Sequence, residues 1–229
     1  LPVFLLMIDT PETLGVSDQA PATGQDAAPD EYPWTMREAL GTRAFWMTLA
    51  GVMVASFSVT GYFAHAVPIM ESHGLSRAMA GAAWATFFFT GIAAKFVWGF
   101  AIERISVRYS LMLCLLAETV GIVLLLWART PTAVFVWAVF NGFGHGPFLQ
   151  LLAMVWADYF GRRSIGVIFG TVQPFIIVAG SLGPWAAGAM FDRHGDYKLF
   201  LEAAIAMALV AAAVFALDTP PRAGTARAD

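Results

Sequence analysis

Among the ionisable side chains inside the long apolar runs of this chain, two come first: the ammonium of Lys95 and the carboxyl of Glu118. A Lys at mid-bilayer costs about 2.5–3.5 kcal/mol on insertion scales, so such groups face a cavity, a partner or the headgroups. Gly91 and Gly99 stand one helical turn to either side of Lys95, on the same face. That slim face leaves room for a ligand or a close helix; the competing reading has Lys95 snorkel to the headgroups. Glu118 has three possible roles: pairing with a cation, carrying a coupling proton, or packing as a neutral acid. A third polar group is Asn141-Gly-Phe-Gly-His145-Gly-Pro147. Three Gly and a Pro weaken a helix, and interrupted membrane helices point to transporter sites, where cavity water or neighbours meet the freed backbone groups. Asn141 and His145 are four apart and share a face. Gln173, just before Pro174, is placed to line the same cavity, and Tyr62 and His65 add polar groups in the outer part of the first run. For each of these, tight packing with a satisfied polar group is the plain alternative.

Six apolar runs must position these groups: Ala44–Met70, Ala78–Ile102, Tyr109–Ala128, Thr132–Tyr159, Ile165–Met190 and Leu199–Leu217. Roughly 20 mostly apolar residues span the hydrocarbon core as a helix. Charged residues are 13% and hydrophobic ones 59% of the chain. No run alternates in polarity, which excludes barrel strands. The expected fold class is an all-α membrane protein with six transmembrane helices. Loops are short, so consecutive helices run antiparallel.

Arginine and lysine set the orientation, since short loops rich in them stay in the cytoplasm. Arg37, Arg43, Arg104, Arg108, Arg162, Arg163, Arg222 and Arg227 fall on one side; Arg77, Arg129, Arg193 and Lys198 fall on the other. Both chain ends are therefore expected in the cytoplasm of a multi-pass cell-membrane protein, the inner membrane if the source is bacterial. Residues 1–8 read as the end of a preceding membrane helix. Residues 9–43 read as a cytoplasmic central loop, flexible to Glu31. It then enters a short surface helix through the capping-box spacing Thr35-Met36-Arg37-Glu38, with Trp34 as a headgroup anchor. Residues 44–217 form the bundle and 218–229 a cytoplasmic tail. Cys114 is the single cysteine, so no disulfide within the chain and no thiolate metal site is expected. No cofactor, metal or nucleic-acid partner is indicated. No nucleophile–base pair, phosphate loop or paired catalytic carboxylates argue for an enzyme.

The loop after the second run, Gly99-x-x-x-Glu103-Arg104-x-Ser106-x-Arg108, resembles the loop signature of the major facilitator superfamily. Asp158-Tyr-Phe-Gly-Arg162-Arg163 with Gly166 and Gly170 is similar to that family's loop between helices ten and eleven. Gly180-Ser-Leu-Gly-Pro184, Gly188 and Phe191-Asp-Arg-x-Gly195 resemble its eleventh helix and outer loop, and Pro11-Glu-Thr-Leu-Gly15 the opening of its central loop. The resemblance implies the C-terminal half of a twelve-helix transporter. Its partners would be an N-terminal six-helix half, the lipid bilayer, a small organic anion and H+ as a possible coupling ion. It also implies that Gly99, Glu103, Arg104, Arg108, Asp158, Arg162 and Arg163 form gating loops.

His65-Ala-Val-Pro68 and Lys95 look most like the monocarboxylate and oxalate/formate exchanger branch. Carriers of that branch have an Arg where this chain has Lys95, so a bidentate grip on a carboxylate is lost. Animal monocarboxylate carriers have an Asp where this chain has Gly91, so their proton-coupling role does not carry over to that position. The expected function is secondary active transport, by symport or antiport, of a small organic anion, a monocarboxylate. The alternatives are a non-transporting membrane receptor or assembly subunit on the same fold, and a haem protein ligated by His65 and His145.

Overall fold

A computed structural model describes residues 34–162 and 164–221. The readings of 1–8 and 9–33 fall outside the described residues, as do the tail from Arg222 and Arg163. The described elements are all helical: α1 Met36–Leu40, α2 Arg43–Ser72, α3 Arg77–Ile102, α4 Val107–Trp127, α5 Pro131–His145, α6 Phe148–Phe160, α7 Ile165–His194 and α8 Lys198–Leu217.

Their starts follow from local chemistry. Thr35 and Glu38 cap α1 reciprocally, the Thr35 amide donating to Glu38 Oε2 at 2.9 Å and the Glu38 amide to Thr35 Oγ1 at 3.3 Å. Thr42, Ser76 and Thr130 accept from the amides of Phe45, Met79 and Ala133, satisfying donors that a helix start leaves open. Trp34 corrects its expected place at the headgroups. Its ring is buried and meets Phe160 edge-on at 5.5 Å, while its carbonyl accepts from Ser164.

Five of these helices, α2, α3, α4, α7 and α8, are long and apolar enough to cross a membrane. The fourth expected span, Thr132–Tyr159, is instead two consecutive helices, α5 and α6, parted at Gly146-Pro147. Pro147 has no N–H and so leaves the Phe143 carbonyl without its helical donor. Trp98 Nε1 of α3 donates to that carbonyl at 3.1 Å. The same substitution of donors occurs in α7. Pro184 frees the Gly180 carbonyl, and Thr60 Oγ1 of α2 donates to it at 2.6 Å. Without water, a freed carbonyl needs such a neighbour.

α2 packs between α7 and α8, α8 continues to α4, α4 to α5, and α5 to α3. The α2–α7 contact is backbone on backbone: a Cβ on Gly183 would stand 2.1 Å from the Phe57 carbonyl oxygen. Two apolar clusters stack along the bundle. One, at the arginine-rich end, holds Phe45, Leu111, Leu115, Trp156 and Phe160; the other holds Val59, Ile122, Leu125, Trp137 and Phe200. The outward faces of α3 and α7 remain apolar, with Phe89, Phe96, Phe100 and Trp185 exposed, as a bilayer-facing surface requires.

Candidate functional site

Between the two apolar clusters, where α4 passes from Leu115 to Ile122, a polar group is sealed into the bundle. Its centre is Glu118, fully buried. Tyr62 Oη of α2 hydrogen-bonds Glu118 Oε2. Asn141 Nδ2 of α5 donates to the same oxygen at 3.2 Å, and Tyr62 Oη also stands 3.0 Å from Asn141 Oδ1. On the other carboxylate oxygen, His145 Nδ1 lies 2.5 Å from Oε1. Three helices thus supply four polar side chains to one point. The helical spacing of Asn141 and His145 brings both to Glu118 from one face of α5.

The neighbouring residues explain how the group fits. A Cβ on Gly121 would meet Asn141 Nδ2 at 1.8 Å, and its three nearest atoms all belong to Asn141. The absent side chain is the space that the amide fills. Around His145, the rings of Phe63, Phe87 and Phe148 have centroids 4.6, 5.7 and 5.7 Å from the imidazole. The His145 side chain is 20% exposed, and its Nε2 makes no hydrogen bond among the described residues. The site therefore has a sealed carboxyl and one partly open nitrogen, an arrangement that can hold a proton and meet an anion.

The remaining candidates lie elsewhere. His65 takes a separate pair of partners, with Tyr197 Oη 3.1 Å from Nδ1 and the Pro184 carbonyl 3.1 Å from Nε2. The carbonyl only accepts, so Nε2 carries the hydrogen and Nδ1 accepts from Tyr197. With both nitrogens engaged, His65 offers no lone pair to a haem iron. Lys95 is exposed on α3 and makes no hydrogen bond or ion pair among the described residues. Gly91, one turn before it, packs on Gly142 of α5 and on Gly146 at the break after α5, whereas Gly99 opens onto free space. Gln173 is half-buried on α7 with no hydrogen bond among the described residues.

At the arginine-rich end, Glu103, Arg104, Asp158 and Arg162 are exposed. Arg108 is engaged: Nη1 donates to the Asp218 carbonyl at 2.5 Å and Nη2 to Tyr109 Oη at 3.1 Å. Sequence reasoning missed Asp218 as part of this group. Its carboxyl is buried and accepts from Thr48 Oγ1 at 2.7 Å. Burial pushes this carboxyl above the usual carboxylate value, while the bond from Thr48 pulls it back. An acid directly after the last apolar residue of α8 was the available signal. A cavity of about 660 Å³ lies there, lined by Arg43, Arg108, Asp218 and Pro220 among others. One of about 320 Å³ lies at the other end, beside His73, Arg129 and Lys198.

The family model described as Major Facilitator Superfamily matches residues 3–229. A search of curated proteins found no match.

Proposed function

Because the chain belongs to the major facilitator superfamily, a family of membrane transporters, we propose that it takes part in secondary active transport of a small organic anion, a monocarboxylate. The movement is alternating access across the cell membrane, with a second six-helix half closing the substrate path. Both chain ends then lie in the cytoplasm. The observation that carries this reading is the buried cluster of Tyr62, Glu118, Asn141 and His145 beside the break between α5 and α6. Ionisable groups inside a membrane bundle are costly to keep, and they mark substrate and proton paths.

Two basic side chains are available to an anion. His145 presents Nε2 from within the aromatic walls, and Lys95 stands exposed on α3. Lys95 would meet a carboxylate as a point charge rather than a fork.

Uptake by cells expressing the full-length protein tests this. A radiolabelled monocarboxylate such as pyruvate should enter saturably. Lys95→Ala and His145→Ala should each lower uptake at least tenfold, while Lys95→Arg keeps most of it. Saturable uptake unchanged in Lys95→Gln would assign Lys95 to the headgroups. No saturable uptake of any small carboxylate would favour a receptor or assembly subunit.

A further inference from the structure

The cluster around Glu118 has a hydrogen deficit. Three contacts close a ring: Tyr62 Oη to Glu118 Oε2, Asn141 Nδ2 to Glu118 Oε2 at 3.2 Å, and Tyr62 Oη to Asn141 Oδ1 at 3.0 Å. With an ionised carboxylate, the ring contains two hydrogens for three contacts: one from the Tyr62 hydroxyl and one from the Asn141 amide. The third contact then sets two oxygen lone pairs against each other. Reversing the Asn141 amide does not help, because its oxygen then faces Glu118 Oε2 instead. A single proton on Oε2 completes the ring in either orientation. Glu118 then donates to Tyr62 Oη, and Tyr62 donates to Asn141 Oδ1. The Asn141 amide still donates to Oε2, and His145 Nδ1–H donates to Oε1.

We propose that Glu118 is a proton-binding carboxyl loaded and unloaded through His145, with the Tyr62 hydroxyl turning between Glu118 and Asn141 as the proton arrives and leaves. The path is set by exposure. Glu118 is sealed, and His145 joins its Oε1 at 2.5 Å to a partly open Nε2. A proton taken up at Nε2 releases the one on Nδ1 to Oε1; a half-turn of the carboxyl then brings the protonated oxygen into the ring, and the imidazole, left with its hydrogen on Nε2, turns to present that N–H to the other oxygen, so no electrons move and the net change is one bound proton. Tyr62 and Asn141 are positioning residues. Other ionisable groups are few. Cys114 lies one turn away on α4, and α8 contributes only Lys198 and Glu202, which pair with each other at 3.8 Å on the surface. On α2, His65 is tied to Tyr197 and Pro184. The ionisable groups of α6 and α7 lie at the bundle ends. Only the coupling of this proton to an anion rests on the transport reading; the proton site stands without it.

Infrared difference spectroscopy of the purified protein tests the site directly. Wild type should show a carboxylic acid C=O stretch that Glu118→Gln lacks, and raising the pH should remove it. Tyr62→Phe should move the band, since the acid loses its acceptor. His145→Gln can still donate to Oε1 but cannot relay, so the band should persist and answer a pH jump at least tenfold more slowly. Identical spectra for wild type and Glu118→Gln would overturn the proposal, as would a band indifferent to pH. An unchanged pH-jump response in His145→Gln would overturn the route. None of these outcomes depends on transport, so a protein that moves no anion yet keeps a titrating Glu118 band would separate the two readings.

Discussion

Substituting Gly121 by Ala should destabilise the bundle through one residue, Asn141. The new methyl would sit 1.8 Å from Asn141 Nδ2, 2.7 Å from Cγ and 3.1 Å from Cβ. Turning the amide about its last bond cannot clear contacts with both Nδ2 and Cγ, so the whole side chain must leave. It then loses its bonds to Glu118 and Tyr62 at 3.2 and 3.0 Å. Each buried polar group left without a partner costs about 1–3 kcal/mol, and inter-helix bonds in membranes average nearer 0.6 kcal/mol. Taken between those limits at about 1–2 kcal/mol each, two such losses come to about 2–4 kcal/mol. Replacing Gly by Ala in a helix returns up to about 1 kcal/mol, which leaves a net loss of about 1–3 kcal/mol. In an Asn141→Ala background the two closest contacts are gone and only the Cβ remains, at 3.1 Å, so the same change should cost clearly less than it does in wild type. Reversible unfolding in mixed detergent micelles, followed by tryptophan fluorescence, measures all four proteins. If Gly121→Ala destabilises both backgrounds equally, the collision is not with Asn141 and the reasoning fails.

Two further predictions concern the helix junctions. Thr60→Val should cost about 1 kcal/mol because it orphans the Gly180 carbonyl. In Pro184→Ala, which restores the helical N–H to that carbonyl, the cost should shrink; strict additivity in the double-mutant cycle would refute the donor substitution. At the arginine-rich end, burial holds the Asp218 carboxyl above its ordinary value, so the folded state binds this proton more tightly than the unfolded one. Its contribution to stability is full below about pH 4, near the unfolded value, and is lost as pH rises through the raised folded value. Thermal unfolding from pH 4 to 8 should therefore show wild type losing stability relative to Asp218→Asn as pH rises, and parallel pH profiles would contradict the assignment.

The helices were legible because burial in lipid leaves a one-dimensional record. Apolar runs from Ala44 to Leu217 mark the helices to within a few residues, and Thr35-x-x-Glu38 marks the α1 cap. The weak point in the fourth run was legible too, since Gly146-Pro147 lacks both a Cβ and an N–H. What the pattern could not carry was the partner of each exception. Pro147 announces a free carbonyl at Phe143, but not that Trp98 would supply the donor. Trp34 reads as an interfacial anchor by type, yet it is buried against Phe160. Their shared place in the outer part of the first run grouped Tyr62 with His65, and the structure separates them: Tyr62 turns to α4 and α5, His65 to α7 and Tyr197.

Lys95 and Glu118 show why the intramembrane cost of a charge does not rank sites. Both are ionisable residues in apolar helices. The Lys stem is long and can carry its ammonium outward, and Lys95 is exposed on α3. The Glu118 stem is short and its helix is packed against α8 and α5, so the carboxyl must find every partner within reach. Those partners are placed by residues with no polar atoms of their own to advertise them. Gly121 makes the space for Asn141, and without that space the ring of three contacts cannot close. Closing it takes a hydrogen that neither Tyr62 nor Asn141 can add. The glycine, through the amide it admits, therefore sets the condition under which Glu118 holds a proton.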